Sequence, residues 1–133
     1  MASSVQAAPS VSWCDLIRAP AKHDGVIVRT TAIFLTDREN EFLYSPECQD
    51  GEGTVWVEFD PSYSSSDAAI RRQFVELIRP RRETPAGTAL VTVVGRFEGS
   101  GGPYGHLDGY PFRFSIMRLE RAEGNVASID NSK

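Results

Sequence analysis

"SSSDAAIRRQFVELIRP", residues 64–80, is the stretch whose reading decides the fold. Ile70, Phe74, Leu77 and Ile78 fall at i, i+4, i+7 and i+8, which gathers them into one apolar stripe of an α-helix. Ser66 stands where an N-cap belongs, Asp67 suits the positive end of the helix dipole, and Pro80 closes the run. The pattern predicts a helix over 66–78. The long segments on either side alternate instead. Upstream, "TVWVEFD" (54–60) sends Val55, Val57 and Phe59 one way and Thr54, Trp56 and Glu58 the other. Before it come "EFLYS" (41–45), stopped by Pro46, and the long "VIVRTTAIFLT" (26–36), which follows an Asp24-Gly25 turn suited to positive φ. That first strand is partly apolar on both faces, as a strand shared between two layers requires. Downstream lie "TALVTVVGRFEG" (88–99), where Gly95 marks a bulge or bend, and "YPFRFSIMRLERA" (110–122).

The order is β-β-β-α-β-β, with "WCDLIRA" (13–19) as a short helical element limited by Pro20. This order predicts a mainly β chain. Its expected form is an OB-fold-like five-stranded barrel with one helix between strands 3 and 4 covering an end. Another small α+β roll shares the same order. Residues 12–122 read as the domain, and 1–11 and 123–133 as flexible tails without periodic apolar signal.

The 133 residues suit one domain, and 41% hydrophobic with 24% charged residues is ordinary for a globular protein. A net charge of −4 disfavours a nucleic-acid backbone or an anionic membrane surface as partner. No apolar run approaches the roughly 18 residues of a membrane span, and "MASSVQAAPSVSW" (1–13) has neither the basic nor the apolar region of a signal peptide. Cys14 and Cys48 lie 34 positions apart, outside any metal-binding spacing; they read equally as two buried thiols or as one disulfide.

The connection within "FEGSGGPYGHLDGYPFRF" (97–114) is much longer than a hairpin needs. Tyr104, His106, Asp108 and Tyr110 could form a polar cluster there, or His106 could brace the loop through Asp108 or a backbone carbonyl. Residues 98–111 are expected to fold back over the barrel, with Tyr104, Leu107 and Tyr110 as docking area. A His–Asp pair could orient an imidazole, but no Ser or Cys nucleophile is motif-marked. His23 and His106 are the only histidines and share no ligand spacing, so no metal and no cofactor is expected. "DREN" (37–40) lacks calcium-loop spacing, and "RPRR" (79–82) reads as a solvated basic linker. In an OB-fold the ligand face is the outside of strands 2 and 3, between the loops joining strands 1–2 and 4–5. Phe42 or Tyr44, Trp56 and Glu58 occupy it.

"CDLIRAPAKHDGVIVRTTAIF" (14–34), "FLYSPEC" (42–48) and "GRFEGSGGPYGHLDGYPFRFSI" (95–116) together resemble a family of small bacterial OB-fold-like proteins without an assigned reaction. Cys14, Leu16, Pro20, Asp24 and Gly25 match that pattern, with His23 where a Tyr is commoner. The resemblance spans about residues 12–121. It implies an OB-like barrel, export or a periplasmic location, and Cys14 and Cys48 adjacent and able to pair. The reading that results is a non-catalytic binding or interaction module for a small molecule, glycan or protein. Its candidate ligand residues are Tyr44, Trp56, Glu58, Tyr104, His106, Asp108 and Tyr110, with no catalytic residue. The alternatives are a single-stranded nucleic-acid-binding OB domain and, last, a small hydrolase using His106 and Asp108.

Overall fold

The computed structural model describes residues 7–37, 39–48, 54–82 and 86–124. Five strands form in the expected order: β1 (Ile27–Thr36), β2 (Glu41–Tyr44), β3 (Val55–Phe59), β4 (Gly87–Glu98) and β5 (Arg113–Glu123). Two helices accompany them, α1 (Trp13–Arg18) and α2 (Ala68–Ile78). The protein is therefore mainly β, and its one sheet closes on itself in the ring β1-β2-β3-β5-β4. All pairings are antiparallel except β3 with β5, where Trp56 faces Arg113 and Val57 faces Phe114 in parallel.

Alternation decides which side chains enter the ring. Val28, Ala32 and Phe34 from β1, Leu43 from β2, Val55 and Val57 from β3, Val91 and Val93 from β4, and Phe114 and Ile116 from β5 are all buried in one cluster. Phe59 departs from its row: it sits partly exposed at the end of β3, edge-on to Phe34 and Tyr63. Gly95 lies at the expected irregularity, where the β4–β5 register shifts between Val94 and Gly95. A Cβ there would collide with the Ser115 carbonyl and the Phe114 ring.

Helix α2 lays Phe74 across one end of the ring, 5.0 Å from the Phe34 ring and 6.4 Å from Phe59. Its start corrects the sequence reading. Asp67 is the N-cap, accepting from the amides of Ala69 (2.8 Å) and Ile70 (3.1 Å). Ser66 is buried instead, and its hydroxyl accepts from the Leu119 amide of β5 at 2.9 Å, which pins the helix entry to the sheet. A turn of 3-10 helix at Pro61–Ser65, capped by Asp60, leads into α2; periodicity had no means of showing so short an element.

Helix α1 packs Trp13 on Phe114, ring centroids 6.3 Å apart, near the end where β4 finishes. Cys14 and Cys48 are paired as a disulfide, with Cα atoms 5.6 Å apart, so α1 is tied to the segment after β2. The chain before α1 is also engaged. Arg29 donates its amide to Pro9 O (2.8 Å) and accepts from the Val11 amide (2.9 Å), forming a one-residue parallel bridge with Ser10. Of the stretches expected to be tails, residues 1–6 and 125–133 lie outside the described residues. Ala8 covers Ile27 and Val94 in a second, outer cluster, which is why β1 is apolar on both faces. Among the described residues, no helix is long and apolar enough to cross a membrane.

Candidate functional site

With Leu43, Val55 and Val57 turned inward, Phe42, Tyr44 and Trp56 must face outward. They form an aromatic shelf on the outside of β2 and β3. Phe42 lies opposite Trp56 in the register, and its ring is 5.8 Å from Tyr44. Over this shelf runs the β4–β5 loop, residues 99–112. Tyr104 and Tyr110 exchange backbone hydrogen bonds of 2.7 and 3.1 Å, so the loop contains a small hairpin of its own. Gly105, at φ 80° and ψ −165°, rests on the Trp56 indole; a Cβ would come within 2.5 Å of the ring. Tyr110 is buried against Trp56 (5.3 Å) and Phe42 (5.9 Å). Its burial raises the pKa of its hydroxyl, which donates to Asn40 Oδ1 at 2.8 Å.

Asn40 belongs to the β1–β2 turn. Asp37 shapes that turn by accepting from the amides of Glu39 and Asn40, both at 2.8 Å, and those two bonds hold its carboxyl below the usual carboxylate range. The two loops therefore meet over the shelf. His106 Nε2 lies 3.5 Å from Glu39 Oε1, a second contact between them. The imidazole thus reaches across to the β1–β2 turn, while Asp108, one of the two partners expected for it beside a backbone carbonyl, is exposed. Leu107 corrects an expectation. It was expected to dock, yet it is 86% exposed at the loop tip, and both it (φ 55°) and Asp108 (φ 54°) adopt left-handed backbone.

The root of the loop is fastened from the opposite side. Asp24 accepts from the Gly99 amide and the Ser100 hydroxyl, both at 2.8 Å, and Gly25 takes the positive φ its turn requires (79°). The Tyr104 hydroxyl donates to Ser100 O at 2.6 Å. The Arg113 guanidinium lies 4.4 Å from the centroid of the Tyr104 ring, donates to Glu98 Oε1 at 2.7 Å and approaches Glu58 at 3.5 Å. Among the sequence candidates, Trp56 and Tyr110 thus lie together under the loop, Tyr104 and Glu58 gather around Arg113, and Tyr44 stands half-buried at the far end of the shelf. Sequence reasoning missed Arg113 and the anchoring role of Asp24. A cation ending a long loop and an Asp-Gly turn carry no signal about partners so distant in the chain.

No group of three or more His, Cys, Asp or Glu gathers as a metal-binding set among the described residues. No protein family, no curated protein and no solved structure matches this chain.

Proposed function

We propose that the chain is a non-catalytic interaction module of OB-fold type that meets a protein partner through the crest where the β1–β2 turn and the β4–β5 loop join. The strand order and the helix between β3 and β4 support the OB-fold reading. The observation that carries the function is Leu107. The loop beneath it is bonded on both sides, yet it holds this leucine out to solvent on left-handed backbone. Such backbone is unfavourable for a side chain of this size and clusters where a residue must be presented. His106 and Asp108 flank Leu107 in the chain, and Glu39 lies 3.5 Å from His106, so the fitting partner offers an apolar pocket with a basic rim. The aromatic shelf, under this reading, serves first to support the loop.

The test is proximity labelling with wild-type protein and with Leu107→Asp, followed by calorimetry on each purified candidate. A partner lost with Leu107→Asp, retained with Val75→Asp, which changes an exposed apolar residue of α2 away from the crest, and weakened by salt supports the crest. Partners indifferent to Leu107 but lost with Tyr44→Ala would move the site to the open end of the shelf. Binding of single-stranded oligonucleotides quenched by Trp56→Ala would favour the nucleic-acid alternative instead.

A further inference from the structure

Helix α2 turns Ile70, Phe74, Leu77 and Ile78 toward the core, and Val75 lies off that stripe, 51% exposed. Val75 belongs to a groove of about 660 Å³ between the end of α2 and the start of the β1–β2 turn. Its apolar part is Val75, Ile78 and Pro80, and Thr36 and Asp37 contribute from the turn. Arg79, Arg81 and Arg82 bring three guanidinium groups to it. Its size suits a small-molecule site. Glu39, Asn40, His106 and Leu107 of the crest do not line it.

The link that supplies these arginines is longer than its span requires. A Cβ on Gly87, the first residue of β4, would collide with the carbonyl of Ile78, the last residue of α2, so the two ends already touch. Eight residues nonetheless lie between them, and the stretch opens with Arg79, Pro80, Arg81 and Arg82. From 79 to 83 the sequence holds three arginines and one glutamate, in a chain whose net charge is −4. Neighbouring carboxylates are engaged elsewhere. Arg79 donates to Glu76 Oε2 at 2.6 Å, and that bond, with a weaker attraction from Arg81, holds the Glu76 carboxyl below its usual range. Asp37 directs its carboxyl to the amides of its own turn. Arg81 and Arg82 are exposed and make no hydrogen bond or ion pair among the described residues.

This combination narrows the ligand class. A guanidinium meets a carboxylate through two parallel N–H···O bonds. Apolar side chains beside it gain from being covered by hydrocarbon. A dense polyanion would leave Val75 uncovered and would approach Asp37 and Glu76. We propose that this groove binds a small organic carboxylate with an apolar body, its carboxylate held by Arg81 and Arg82 and its body laid over Val75, Ile78 and Pro80.

The experiment is an amide NMR titration of the full chain with octanoate. Saturable shifts are expected at Val75, Ile78, Arg81 and Arg82. Octanamide keeps the apolar body without the charge, and acetate keeps the charge without the body; each should bind about tenfold more weakly, or worse. Arg81→Gln combined with Arg82→Gln should weaken octanoate by a similar factor, and Val75→Ser should weaken it severalfold. These variants change exposed side chains, and circular dichroism checks that each keeps the fold. Leu107→Asp, at the crest, should bind octanoate as the parent does, which keeps this site separate from the partner surface. No saturable shift at the four amides overturns the proposal. So does octanamide or acetate binding as tightly as octanoate, which would reduce the groove to an apolar patch or to a point charge. Loss of octanoate binding in Leu107→Asp would move the site to the crest and also overturn it. A peptide ending in leucine that binds where octanoate does not would make the groove a seat for a chain terminus instead.

Discussion

The hydroxyl of Tyr110 donates to Asn40 Oδ1 at 2.8 Å, across 70 positions of sequence, and this bond joins the β4–β5 loop to the β1–β2 turn over the aromatic shelf. It connects the two loops that the proposed partner would touch together. Tyr110→Phe keeps the ring against Trp56 and Phe42 and removes only the bond. The expected loss is about 0.5–1.5 kcal/mol in denaturant unfolding. Amide exchange of Tyr104 and Tyr110 should accelerate as the loop loosens; unchanged protection there would show that the ring packing alone holds the loop.

Gly105 is the position where the loop is least tolerant. Its φ of 80° and ψ of −165° belong to a region that is essentially glycine-only, and the Trp56 ring leaves no room for a Cβ. Gly105→Ala should cost about 1–3 kcal/mol and shift the Trp56 fluorescence as the loop lifts. A variant as stable as the parent, with unchanged emission, would mean that the loop does not rest on the indole in solution.

Acid stability should depend on Glu120. The side-chain hydrogen bonds from Arg29 hold its carboxyl below the usual glutamate range, against a smaller opposing effect of burial. A carboxyl whose folded pKa is depressed contributes stability that is complete above its unfolded value, about 4.3, and is lost as pH falls through the lower folded value. Glu120→Gln should therefore lower stability at neutral pH and flatten its decline below about pH 4. Asp60, lowered by bonds from the Ser62 hydroxyl and amide, acts in the same direction, so some acid sensitivity should remain in the variant. Parallel stability–pH curves for the two proteins would contradict the assignment.

The Cys14–Cys48 link closes a loop of 34 positions. On chain-entropy grounds its removal should cost about 3–4 kcal/mol. Cys14→Ser with Cys48→Ser, compared by thermal unfolding with the oxidised parent, measures this. The melting temperature should drop clearly, and reductant should destabilise the parent but leave the double variant unaffected.

Much of this molecule is governed by short-range periodicity. Alternation at Val55, Val57, Val91 and Val93 and the four-residue stripe through Phe74 are properties of neighbouring residues, so the strands, the main helix and the inward face could be read from the chain itself. Gly95 could be placed at an irregularity for the same local reason. The tertiary structure alone decided what closure of the ring brings together. Ser66 was read as a cap because its sequence neighbours start a helix; it bonds Leu119 because β5 passes beneath that turn. His106 was read as bracing its own loop through Asp108 or a backbone carbonyl, but the loop carries its Nε2 to within 3.5 Å of Glu39. Leu107 was counted as docking area because it is apolar, whereas exposure depends on which way a left-handed turn points it. Hydrophobic period is encoded within a few residues; pairing between distant loops is set by register and closure, which no short window of sequence contains.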